Sequence, residues 1–155
     1  MRGGGPDLRP PPTAHRLPLA WTVDDLLFLS PDLLHDIQAG RCVRTVYLTA
    51  GDAGRGERYW LGREDGVRAA YAQMAGVADR WTVSDAGQAE HPILLATLDE
   101  DPGISLVFLR LPDGNRTGTG TRTTEHQSLL RPWNGTLPEL RTIDVATRSG
   151  RGARK

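Results

Sequence analysis

Two adjacent carboxylates, Asp24 and Asp25, stand between Ala20-Trp21-Thr22-Val23 and the apolar run Leu26-Leu27-Phe28. Acids in a loop passing from a strand into a helix can hold a divalent metal, which then acidifies a water and polarises a carbonyl for hydrolysis. Such a site also needs imidazoles or further acids. The same two residues suit a helix start, where negative side chains interact favourably with the helix dipole, and that is the role expected of them here. The other residues placed for chemistry are Asp52, in the run Ala50-Gly51-Asp52-Ala53-Gly54, and the neighbours Arg63 and Glu64. Asp52 suits a turn as well as a sugar pocket. Arg63-Glu64 reads either as a pair orienting pocket loops or as a surface ion pair at a helix start.

The elements that must position these residues follow from periodicity. Cys42-Val43-Arg44-Thr45-Val46-Tyr47-Leu48-Thr49 is rich in strand formers, and the loop at its carboxyl end is where open α/β sheets place ligands. Leu17–Trp21 is the available first strand, weakened by Pro18. Residues 24–39 read as one helix or two short turns, with a second start at Ser30-Pro31-Asp32 and a stop at Gly40. Val67, Ala70, Tyr71 and Met74 recur at helical spacing over Arg63–Gly76. Trp81–Val83, Ile93–Leu98 and Ile104–Leu109 read as strands, the last two joined through Asp99–Gly103 as an antiparallel pair. Pro112–Thr124, mostly glycine and threonine, reads as a mobile or ligand-covering loop. Glu125–Trp133 reads as a short helix and Leu137–Val145 as a short strand or extended segment.

A length of 155 residues bounds the chain to one domain, expected over about residues 19–145. The Gly/Pro-rich 1–18 and the basic 146–155 read as tails. Lysine plus arginine number 19 and aspartate plus glutamate also 19, so no global field draws nucleic acid or an anionic membrane. The cationic terminus lacks the aromatic platforms of a nucleic-acid surface. Cys42 stands alone, which excludes an internal disulfide and a Cys-rich metal site and points to a buried structural thiol. No apolar run reaches the roughly 20 residues that span a bilayer. Residues 1–18 lack the apolar core of a secretory signal, so a cytoplasmic product is expected. Gly51-Asp52-Ala53-Gly54-Arg55-Gly56 has neither the Lys-Ser/Thr nor the spacing of a nucleotide loop.

Several ordered blocks resemble the PIG-L/LmbE family of zinc-dependent N-deacetylases. They are Asp25-Leu26-Leu27-Phe28-Leu29-Ser30-Pro31-Asp32, Val46-Tyr47-Leu48-Thr49-Ala50-Gly51-Asp52-Ala53-Gly54, Tyr59-Trp60 with Arg63-Glu64, and Met74-Ala75-Gly76-Val77. Phe108–Gly114 and Gln127–Leu130 continue the likeness, which covers residues 20–144. The resemblance implies a Rossmann-like fold and removal of acetyl groups from N-acetylglucosaminyl-type substrates. It also implies a zinc site opening Ala-His-Pro-Asp-Asp, in which the His and second Asp bind metal and the first Asp is the general base. Placed on this chain, the motif puts Trp21 at the ligand His, Thr22 at the Pro, Val23 at the base and Asp24 at the ligand Asp. Indole has no lone pair for a metal and an isopropyl group accepts no proton. His15, His35, His91 and His126 read as solvated or capping side chains, and the downstream ligand His falls beyond Lys155.

The expected fold is α/β: a Rossmann-like, mostly parallel sheet with flanking helices and an added antiparallel hairpin, incomplete at the C-terminal side. The expected function is that of an inactive or fragmentary deacetylase relative. No catalytic residue is assigned, Asp24 is a remnant metal ligand, and Asp52, Arg63 and Glu64 are candidate substrate contacts. Zinc is implied for the family but not expected on this chain alone. The alternative is a non-catalytic protein that binds an amino sugar on the same fold, using Asp52, Arg63 and the Pro112–Thr124 loop.

Overall fold

The computed structural model describes residues 19–20, 24–87 and 92–143, with the backbone alone at 19, 20, 24 and 25. In chain order the elements are β1 (Leu19–Ala20), α1 (Asp24–Phe28), α2 (Ser30–Gln38), β2 (Val43–Thr49), α3 (Glu57–Ala75), β3 (Trp81–Asp85), β4 (Leu94–Leu98), β5 (Ile104–Leu111) and α4 (Leu130–Trp133), with a 3-10 turn at Arg122–Thr124. The strands form one open sheet in the order β1-β2-β5-β4-β3.

β1 and β5 both run parallel to β2, whereas β4 is antiparallel to β5 and to β3. The sheet is therefore mixed, not mostly parallel as expected. β3 adds a second antiparallel pair at the far edge, beside the expected antiparallel hairpin through Asp99–Gly103, which is too short for a crossover helix. Within Asp99–Gly103, the Asp101 backbone carbonyl accepts the Ile104 N–H at 2.9 Å. At the other end of β4, the Asp85 carboxylate accepts the Ile93 and Gly87 N–H groups, each at 2.8 Å. The Ile93 bond, then the Gly87 bond, hold that carboxyl below its ordinary range.

β2 shows the alternation of a strand with one face on a core: Val43, Thr45, Tyr47 and Thr49 are buried while Arg44 is exposed. Its partner positions on β5, Leu106 and Phe108, are buried too, and the Tyr47 and Phe108 rings stack with centroids 5.1 Å apart. α2 contributes Leu33 and Ile37, and α3 contributes Val67, Tyr71 and Ala72, all to one continuous apolar cluster with β2, β4 and β5. α2 and α3 also touch each other, which places both on the same face. The Tyr71 hydroxyl and Thr45 Oγ1, both buried, are 2.6 Å apart, so α3 is fixed against β2 by a hydrogen bond as well as by packing.

α3 begins at Glu57, ahead of the expected Arg63, and ends where Gly76 takes a left-handed conformation at φ 70°. The expected helix over Glu125–Trp133 is reduced to α4, and residues 137–143 form no strand. Cys42 is half-buried beside Gly103. His15, His91, Trp21, Thr22, Val23 and both expected tails lie outside the described residues. No helix among the described residues is long and apolar enough to cross a membrane.

Candidate functional site

The carboxyl ends of the three parallel strands carry the residues that the sequence singles out. α1 opens at Asp24, just beyond β1. The loop after β2 holds Asp52, and the loop after β5 begins at Pro112 and runs to α4. Asp52 joins the last two loops. It is fully buried; one carboxylate oxygen accepts the Gly54 N–H at 2.9 Å and the other accepts the Asp113 N–H at 2.8 Å. The first bond closes an Asx turn and the second crosses to the neighbouring strand's loop. Asp52 is thus turned inward as a tie between loops. Asp52→Asn leaves one of these N–H groups facing an amide NH₂, with an expected loss of about 1.5–3 kcal/mol. Faster hydrogen exchange at the Asp113 amide, measured beside the unfolding midpoint, checks it.

Glu64 and Arg63, consecutive on α3, engage different partners. Glu64 is 4% exposed and receives a two-pronged contact from Arg110, with Nε and Nη2 each 2.8 Å from a carboxylate oxygen. The Arg110 guanidinium also lies 5.0 Å from the centroid of the buried Trp60 ring. This arrangement depends on a bulge. Between Tyr47↔Phe108 and Thr49↔Leu111 the register shifts, so β5 spends one more residue than β2, and Arg110 takes φ 55°. The left-handed conformation re-aims the Arg110 side chain toward α3. Arg63 instead lies half-buried against Tyr59, with its guanidinium carbon 5.8 Å from the ring centroid and Nη1 3.4 Å from the hydroxyl.

Arg63, Glu64 and Arg110 border a cavity of about 20 Å³ together with Tyr47, Thr49 and Phe108. That is room for one water, not for a sugar. A cleft of about 580 Å³ lies elsewhere, between Leu48 on β2, Asp113 and Asn115 on the loop, and Leu130 and Trp133 on α4. It falls in the range of small-molecule pockets. Its long wall is the Pro112–Thr124 loop, expected to be mobile or ligand-covering, and it is held by side-chain bonds to backbone. Asn115 accepts the Thr117 N–H at 2.9 Å and donates to the Gly120 carbonyl at 2.5 Å, while Ser128 Oγ donates to the Gly118 carbonyl at 2.5 Å. Trp133 at the rim is 89% exposed. The spacing rules used on the sequence passed over this residue; a tryptophan in the turn-forming run Pro132-Trp133-Asn134-Gly135 was the available signal.

His35 on α2 and His126 in the late turn are both exposed. Among the described residues, no three His, Cys, Asp or Glu side chains lie close enough to hold a metal ion. Where the resemblance expects a ligand His and a general base, the sequence has Trp21 and Val23, whose side chains offer neither a metal-binding lone pair nor a proton acceptor. Comparison of the chain with family models, with curated proteins and with solved structures finds no match.

Proposed function

We propose that this chain is a PIG-L/LmbE-type domain on a Rossmann-like scaffold whose hydrolytic chemistry has been lost while the ligand end of the sheet is kept. One observation carries this reading. β1, β2 and β5 present the Asp24 turn, the Asp52 loop and the Asp113 loop at one end, yet Trp21 and Val23 stand where that chemistry calls for an imidazole and a carboxylate. At the start of α1, Asp24 is the remaining carboxylate at a ligand position on this reading. Incubation with an N-acetylglucosaminyl substrate and added zinc is expected to release no acetate above a protein-free control. Zinc-dependent release would overturn the reading.

A second reading, binding of an amino sugar without chemistry, is favoured by the cleft beside Leu48. Its exposed Trp133 ring offers an apolar platform, and Asp113 on the opposite wall uses Oδ1 to accept the Asn115 N–H at 3.2 Å. Stacking plus a few fixed polar groups is the usual composition of such a site. Calorimetric titration with amino-sugar conjugates is expected to give saturable heat that Trp133→Ala removes. Absence of heat in the unsubstituted chain would count against this reading.

A further inference from the structure

We propose that Arg55 and Arg63, both against the Tyr59 ring, form with the neighbouring Arg58 a binding site for the phosphate group of a small phosphomonoester. Five of the twelve arginines among the described residues have an anion. Arg41 meets Asp36, Arg68 meets Asp65, Arg80 meets Glu100, Arg110 meets Glu64 and Arg141 meets Glu139. Among the described residues no carboxylate pairs with Arg55, Arg58 or Arg63, although Arg63 is half-buried. A guanidinium withdrawn from water without a counter-charge costs free energy that a bound anion recovers.

Two of these groups are also fixed in place. The guanidinium carbons of Arg55 and Arg63 lie 4.7 and 5.8 Å from the centroid of the same Tyr59 ring. Arg63 further donates to the Tyr59 hydroxyl at 3.4 Å. Stacking on a ring leaves the edge N–H groups of a guanidinium free and limits the orientations lost on binding, which suits bidentate recognition of phosphate oxygens. Arg55, Arg58 and Tyr59 line an open depression of about 610 Å³, where Glu57 is the one carboxylate on the wall. Arg55 and Arg58 on the wall, with Arg63 against the same Tyr59 ring, outweigh Glu57 and leave a local positive excess suited to the roughly −1.5 to −2 charge of a phosphomonoester at neutral pH. The inference does not rest on the deacetylase reading, because the proposed contact is electrostatic and independent of Asp24, Trp21 and Val23.

Titration of the full chain with inorganic phosphate, glycerol 3-phosphate and glycerol, followed by calorimetry and amide chemical shifts, tests it. Phosphate and glycerol 3-phosphate are expected to saturate with a Kd on the order of 1 mM, shifting the amides of residues 55–59, and to weaken as salt is raised. Glycerol is expected to be silent. The double variant Arg55→Gln/Arg63→Gln is expected to bind at least about tenfold more weakly, with Arg63→Lys between the two because it keeps the charge and loses the fork. Failure of either phosphate probe to saturate, or equal affinity in the folded double variant, would overturn the proposal. If the double variant does not fold, Arg55→Gln decides alone, since it alters an exposed side chain: a loss of about threefold or more is expected, and unchanged affinity would overturn the assignment.

Discussion

Arg110→Ala is expected to destabilise the fold by about 3–5 kcal/mol, because it leaves the Glu64 carboxylate buried without its counter-charge. Glu64 is 4% exposed and both its oxygens are engaged by Arg110 at 2.8 Å. The substitution also strips the guanidinium from the buried Trp60 ring. It relieves nothing in the backbone, since alanine at φ 55° keeps the strain of a left-handed residue. Arg110→Gly removes that strain, so it is expected to be less damaging than the alanine by about 1 kcal/mol. Replacing both partners, as in Glu64→Met/Arg110→Met, is expected to recover most of the loss, because a buried pair exchanged for apolar groups is often close to neutral. Urea unfolding midpoints of the four proteins provide the check. A double variant no more stable than Arg110→Ala would show that the pair itself is not the source of the effect.

The second large effect is expected at Gly120, in the wall of the cleft. A Cβ there would lie 2.3 Å from the His126 carbonyl carbon, 2.4 Å from its oxygen and 2.6 Å from the Gln127 oxygen. All three are backbone atoms, so no side chain can swing aside. The residue also has φ 74°. Crowding and strain together predict that Gly120→Ala costs about 2–6 kcal/mol. Gly135→Ala separates the two causes: φ is 75° but nothing lies within 4 Å of the added carbon. Only strain remains there, with an expected cost of about 1–2 kcal/mol. Thermal unfolding of both variants measures the difference. Equal losses would mean that the loop moves aside and that its hydrogen bonds do not hold the cleft wall.

Much of the scaffold is written in local pattern. β2 alternates buried with more accessible positions because one face meets the core that α2 and α3 cover, and the apolar spacing of Val67 and Tyr71 marks the α3 face that meets it. Gly62 interrupts the helical pattern of α3 just upstream of Arg63, which hides its true start at Glu57. Asp99–Gly103 announces an antiparallel return, but nothing local reveals that β5 then lies beside β2, so the mixed strand order was not legible.

The site was less legible than the scaffold because its contacts are distant in sequence. Asp52 and Asp113 meet only once β2 and β5 pair, and a lone aspartate in a glycine loop reads equally as turn or pocket. Glu64 reads as half of a surface pair with its neighbour Arg63, whereas its partner is Arg110, aimed by a bulge that no propensity predicts. The Pro112–Thr124 loop has the composition of a mobile segment, yet Asn115 and Thr124 within it, and Ser128 beyond it, bond its backbone carbonyls and amides. Glycine there serves close approach, not looseness.

Zinc titration of the purified chain, read by calorimetry with acetate release followed in the same samples, tests the central claim most directly. On the proposed reading, no stoichiometric zinc binding and no acetate from an N-acetylglucosaminyl substrate are expected, because Trp21 and Val23 stand where that reading puts ligand and base. Binding of one zinc per chain with acetate release would contradict it.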